Sequence, residues 1–95
     1  MAEKNADWMK VNADGSTTVT LSRPLEINGA KVSYLTVREP TLDDEIVASH
    51  VRGNDLERER AFFANLCTVA PADFNKISSR DYRRVGAAVS ANFSD

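Results

Sequence analysis

Two side chains in this sequence could take part in covalent or acid–base chemistry: Cys67 as a thiol nucleophile and His50 as a proton carrier near neutral pH. An enzyme would have to bring them together beside a group that stabilises developing charge. Their sequence neighbourhoods point elsewhere. Cys67 lies inside an apolar helical stretch, where a thiol behaves as a small inert hydrophobe. His50 falls in the last turn of a predicted helix, where the dipole favours its cation and a capping or surface role is the plainer reading. One histidine and one cysteine cannot close a zinc site, and Asp43, Asp44 and Glu45 are contiguous, without the spaced loop that holds calcium. Gly15, Gly29, Gly53 and Gly86 are too far apart to cradle a phosphate. The residues therefore predict no catalytic site, no metal and no cofactor.

What remains is a protein that acts by contact, and its composition says what can hold such a surface in place. With 95 residues, 42% of them hydrophobic and 27% charged, the chain can form a single core without metal or disulfide support. Its lone cysteine cannot bridge internally, and no apolar run approaches the roughly 20 residues that span a bilayer. The first ten residues lack the apolar stretch of a signal peptide, so a reducing cytoplasm is the expected setting. A net charge of -2 argues against nucleic acid, which calls for a positive excess. Charge is nevertheless uneven, with acids at Glu39, Asp43, Asp44 and Glu45, and bases at Lys76, Arg80, Arg83 and Arg84 outnumbering Asp73 and Asp81. Solvated faces of opposite sign are the simplest account of both clusters.

The pattern predicts an α+β fold: an N-terminal antiparallel β-hairpin followed by three to four α-helices in a small bundle. Residues 1–15 are mostly polar and read as a loosely held tail ending in a turn at Asp14-Gly15, with residues 16–95 forming one domain. Trp8, the large apolar group in that tail, is expected to pack on the sheet, the alternative being an exposed docking anchor. Period-two alternation predicts a hairpin over 17–38, turning at Asn28-Gly29. A two-residue loop would pair Val19 with Arg38 and put Leu35 and Val37 on the face opposite Val19 and Leu21. A three-residue Ile27-Asn28-Gly29 loop pairs Leu21 with Leu35 and Val19 with Val37 on one buried face, and is the expected register. Pro24, lacking a donor, belongs where its position faces no partner strand.

Helices are expected at about 42–51, 55–69, 72–77 and 79–92. Their starts are marked by Thr41 with Asp44, Asn54 with Glu57, and Ser78 with Asp81, each pair at capping-box spacing. In the first helix Leu42, Ile46, Val47 and Val51 are expected inward; in the second, Leu56, Phe62, Phe63, Leu66, Cys67 and Val69 follow helical spacing. Phe62 and Phe63 point about 100° apart on a helix, so one can protrude from the core as an anchor for a partner, although burial of both is the plainer reading.

The spacing of these elements resembles the phage tail assembly chaperones of P2-like and Mu-like contractile-tailed phages. The likeness rests on Val19-Thr20-Leu21 with Pro24, the Gly29 turn and the run Leu35-Thr36-Val37-Arg38-Glu39-Pro40-Thr41 with Asp44 beyond. It continues more loosely through Pro71, Asp73, Asp81-Tyr82 and Phe93, covering residues 17–93; the charged stretch 55–60 and the N-terminal extension depart from it. That resemblance implies a non-catalytic protein of the bacterial host cytoplasm, needed while the tail is built and absent from the finished particle. Its implied client is the tape measure protein, kept soluble until the tail tube polymerises around it, and members of the family are often accompanied by a frameshift-extended form of the same product. A groove of the last two helices, with Phe62, Leu66, Val85, Val89 and Phe93, is the expected partner-binding site. Two rivals differ in simple observables. A structural tail or baseplate component would be found in purified virions, and a nucleic-acid-binding regulator using Arg80, Arg83 and Arg84 would bind more tightly as salt falls.

Overall fold

The polar N-terminal segment is where the fold first departs from expectation. In the computed structural model, which describes residues 7–92, this segment contributes a third strand. Strand β1 (Met9–Val11) pairs antiparallel with β2 (Thr17–Ile27), which pairs with β3 (Ala30–Val37), in the order β1-β2-β3. The expected loose tail is thus corrected from residue 9 onward, and residues 1–6 lie outside the described residues. The polar side chains that read as a loosely held tail are turn staples. Asn12 donates from Nδ2 to Ser16 Oγ and Thr18 Oγ1, both at 3.0 Å, while Asp14 Oδ1 accepts from the Ser16 amide at 3.0 Å and its hydroxyl at 2.7 Å. They hold Met9 opposite Val19.

The hairpin closes through two residues rather than three: Ile27 faces Ala30, with Asn28 at φ 53° and Gly29 at φ 82°. This left-handed pair is what a two-residue hairpin loop requires. The ladder then breaks, because Leu21, Ser22, Arg23 and Pro24 on β2 stand opposite Ser33 alone on β3. Four residues against one leaves three extra, an odd number, so odd positions of β2 come to face odd positions of β3 and Val19 meets Leu35 while Thr17 meets Val37. The expected pairs Leu21–Leu35 and Val19–Val37 do not form. Val19, Leu21, Leu35 and Val37 nevertheless share the buried face, and Pro24 sits in the bulge, where it breaks no ladder bond.

Four helices follow: α1 (Leu42–Ser49), α2 (Asp55–Cys67), α3 (Pro71–Phe74) and α4 (Ser79–Ala91). All end one to three residues before their expected limits; α2 stops at Thr68, whose φ of 58° is left-handed. Helices α2, α3 and α4 pack on the sheet around Phe74, Leu66, Val85, Val19 and Val37, all fully buried. Burying such side chains is the main source of stability in a domain this small.

Helix α1 packs against α2 with its faces exchanged relative to the sequence expectation. Leu42 is 71% exposed, Val47 53% and Ile46 47%, whereas Asp44 is buried. Val51, just beyond the helix, is half-buried, and Leu56 at the start of α2 is exposed as well. The cause is a polar anchor strong enough to choose which side of a short helix turns inward.

Candidate protein-docking surface

That anchor is the Asp44 carboxylate. Arg38, just beyond β3, donates to it from both terminal nitrogens, at 2.6 and 2.8 Å. The Thr41 amide and hydroxyl donate at 2.9 and 3.1 Å, Asn65 of α2 adds a bond at 3.3 Å, and Thr41 in turn caps the Asp44 amide. A bidentate guanidinium–carboxylate pair fixes direction as well as distance, so α1 has one permitted rotation about its axis. The Arg38 guanidinium holds the Asp44 carboxyl well below the usual range; burial opposes this, and the Thr41 bonds reinforce it. The consequence is an apolar stripe of Leu42 and Ile46 presented to solvent on a rigidly seated helix, with Val47 exposed further round it.

A second polar knot fixes the bulge in the middle of β2. Asp81 of α4, fully buried, accepts from the Ser22 amide at 2.8 Å and the Arg23 amide at 3.2 Å, the donors that the β2 bulge sets free. Ser78 caps the Asp81 amide, but the reciprocal half of the expected capping box is missing because the carboxylate serves the bulge instead. Arg84 lies beside it, donating to the Thr20 carbonyl at 2.9 Å with its guanidinium 5.3 Å from the Trp8 ring centre. Trp8 is thereby held half-buried against the core.

Burial would raise the Asp81 pKa, yet bonds from the Ser22 and Arg23 amides outweigh it and hold the group below its ordinary value. Both Asp44 and Asp81 are thus more acidic folded than unfolded. Their stabilisation is complete above the unfolded value of 3.8 and is lost as pH falls through the lower folded values. Stability measured by urea titration is expected to be flat through neutral pH and to drop below about pH 4; a curve that stays flat into strong acid would contradict both knots.

The sequence-derived contact residues are only partly at the surface. Leu66 and Val85 are sealed in the core, Val89 is almost so, and Phe93 lies outside the described residues. Phe62 is half-buried and, with Val89, lines a groove of about 400 Å³ between α1, α2 and α4. Phe63 is buried, its ring 5.3 Å from that of Tyr82. The α1 stripe was missed because Leu42, Ile46 and Val47 have the spacing of a core face. The available signal was Arg38, a cation at the end of a strand and six residues before the acid it grips.

The two reactive groups do not converge: His50 is exposed at the end of α1 and Cys67 is buried at the end of α2. Burial pushes the Cys67 thiol up to about 12. An aromatic disulfide reagent at pH 8 is expected to label Cys67 only at the rate of unfolding, and labelling as fast as that of a free thiol would show the site open. Among the described residues no group of three or more His, Cys, Asp or Glu side chains could hold a metal ion, and no helix is long and apolar enough to cross a membrane.

Comparison with protein families matches residues 18–94 to the family described as phage tail assembly chaperone proteins, E, or 41 or 14. Searches of curated proteins and of solved structures gave no match.

Proposed function

Because the chain belongs to the phage tail assembly chaperone family, we propose that it acts by binding the tape measure protein and keeping it soluble until the tail tube forms around it. The observation that carries this reading is apolar surface held open on a folded scaffold: Leu42, Ile46, Val47 and Leu56 are all exposed. A long helical client with apolar stripes would self-associate unless those stripes were covered. Many copies of a small domain, each bound weakly, can cover them and still give way to tube subunits. The groove bearing Phe62 and Val89 offers a further contact.

In this reading the protein is a non-catalytic component of contractile-tail assembly in the bacterial host cytoplasm, and a frameshift-extended form of the same product is a second partner. Co-expression with the tape measure protein of the same genome tests it. A soluble complex that co-purifies at low salt is expected, with the small protein absent from purified virions by mass spectrometry. Failure to co-purify would count against the client, and its presence in virions would favour a structural tail or baseplate role.

A further inference from the structure

We infer that the client's docking site is the outer face of α1, and that the segment it takes is an amphipathic helix whose apolar stripe is bordered by lysine or arginine. This rests on the chaperone reading above and names the surface and the chemistry of its occupant.

Three observations carry the argument. The first is the seat: the Arg38–Asp44 pair and the Thr41 cap turn the Asp44 side of α1 inward and leave the Leu42–Ile46 side outward. An apolar face held outward by a directional ion pair is ordered before any partner arrives, which lowers the entropy lost on binding.

The second is shape. At about 100° per residue, Leu42 and Ile46 lie almost in line along α1, while Val47 is exposed further round the helix, beyond Asp43. Such a ridge is what another helix packs against through residues three and four apart.

The third is charge. On the same wheel Asp43 and Glu45 fall on opposite sides of the Leu42–Ile46 line, both exposed, and α1 contains no lysine or arginine. A greasy strip with a carboxylate along each margin favours an occupant with cationic margins. It also disfavours two alternatives. A second copy docking α1 to α1 would bring four carboxylates together at the rim, and an anionic membrane surface would be repelled.

The test uses the intact protein and two synthetic helical peptides that share one leucine stripe, one flanked by lysine and the other by glutamate. Binding is followed by fluorescence anisotropy. The lysine peptide should bind the wild type, and the double variant Leu42→Ser/Ile46→Ser should bind it about tenfold more weakly or worse. Because both side chains are exposed, that variant should keep the wild-type circular dichroism spectrum and melting temperature. A second variant, Asp43→Asn/Glu45→Gln, should lose several-fold in affinity and much of the salt dependence. The glutamate peptide should bind the wild type about tenfold more weakly than the lysine peptide.

Equal binding of the lysine peptide by the Leu42/Ile46 variant overturns the inference, as does loss of binding in Phe62→Ser alone, which would place the site in the α2–α4 groove. So does an α1-dependent dimer of the wild type in analytical ultracentrifugation. Capture of the tape measure protein separates this inference from the reading beneath it. Capture by both wild type and the Leu42/Ile46 variant defeats the α1 site and leaves the chaperone reading standing. Capture by neither, with α1-dependent peptide binding intact, supports the α1 site and defeats that client.

Discussion

Replacing Asp81 by alanine is expected to destabilise the protein by about 2–4 kcal/mol, the largest loss from a single polar side chain in this fold. For a domain of this size that corresponds to a fall in melting temperature of roughly 10–25 °C. The carboxylate is fully buried and accepts from two backbone amides, Ser22 and Arg23, that have no place in the β-ladder because they lie in the bulge. Alanine leaves those donors without their acceptor, and removes a side chain that ties the bulge to α4.

Register is the second consequence. The bulge alone lets a two-residue loop coexist with Val19, Leu21, Leu35 and Val37 on one face, so a bulge without its acceptor frees β2 to slide. Asp81→Asn keeps one acceptor oxygen and should fall between wild type and Asp81→Ala. A melting temperature for Asp81→Ala within two or so degrees of wild type, about what a 0.5 kcal/mol change gives, would show that the bulge is held by something else.

Asp44→Ala should cost about 2–3 kcal/mol and, unlike Asp81→Ala, should also reach the docking surface. Removing a buried carboxylate strands its partner, but Arg38 is 42% exposed and can turn to water, which keeps the loss below that of a fully buried pair. The same substitution deletes half of the capping box at Thr41 and the bond from Asn65. With the anchor gone, nothing polar opposes the turning of Leu42 and Ile46 toward α2, the arrangement that hydrophobicity alone would select. Binding of the lysine-flanked helical peptide should therefore weaken although Leu42 and Ile46 are still present. A double-mutant cycle with Arg38→Ala should show a coupling of about 1–2 kcal/mol. Additive effects of the two substitutions would mean that the pair does not act as a unit.

These two carboxylates also mark where sequence and structure part. Much of the architecture was legible from short-range rules, because the responsible interactions are local. Thr41 and Asn54 start their helices by capping amides a few residues away, and Asn28-Gly29 turns the hairpin, all within the span over which side chain and backbone meet directly. The run from Leu35 to Thr41 with Asp44 carried the family likeness, and the structure supplies its physical content: a strand end, an ion pair and a cap that together direct α1.

What tertiary structure alone decided were the two matters of facing. Asp81 sits 59 residues from the Ser22 amide it accepts from, and no local pattern announces that contact or the three-residue excess on β2 that it supports. Asp44 stands between two other acids at a helix start, where the dipole already explains all three, so its selection for burial depended on where Arg38 and Asn65 arrive in space. Local preference fixes that a helix or strand forms and where it starts. Which of its sides becomes the core is settled by partners distant in the chain, since a buried charge with directional bonds can outweigh three exposed aliphatic side chains.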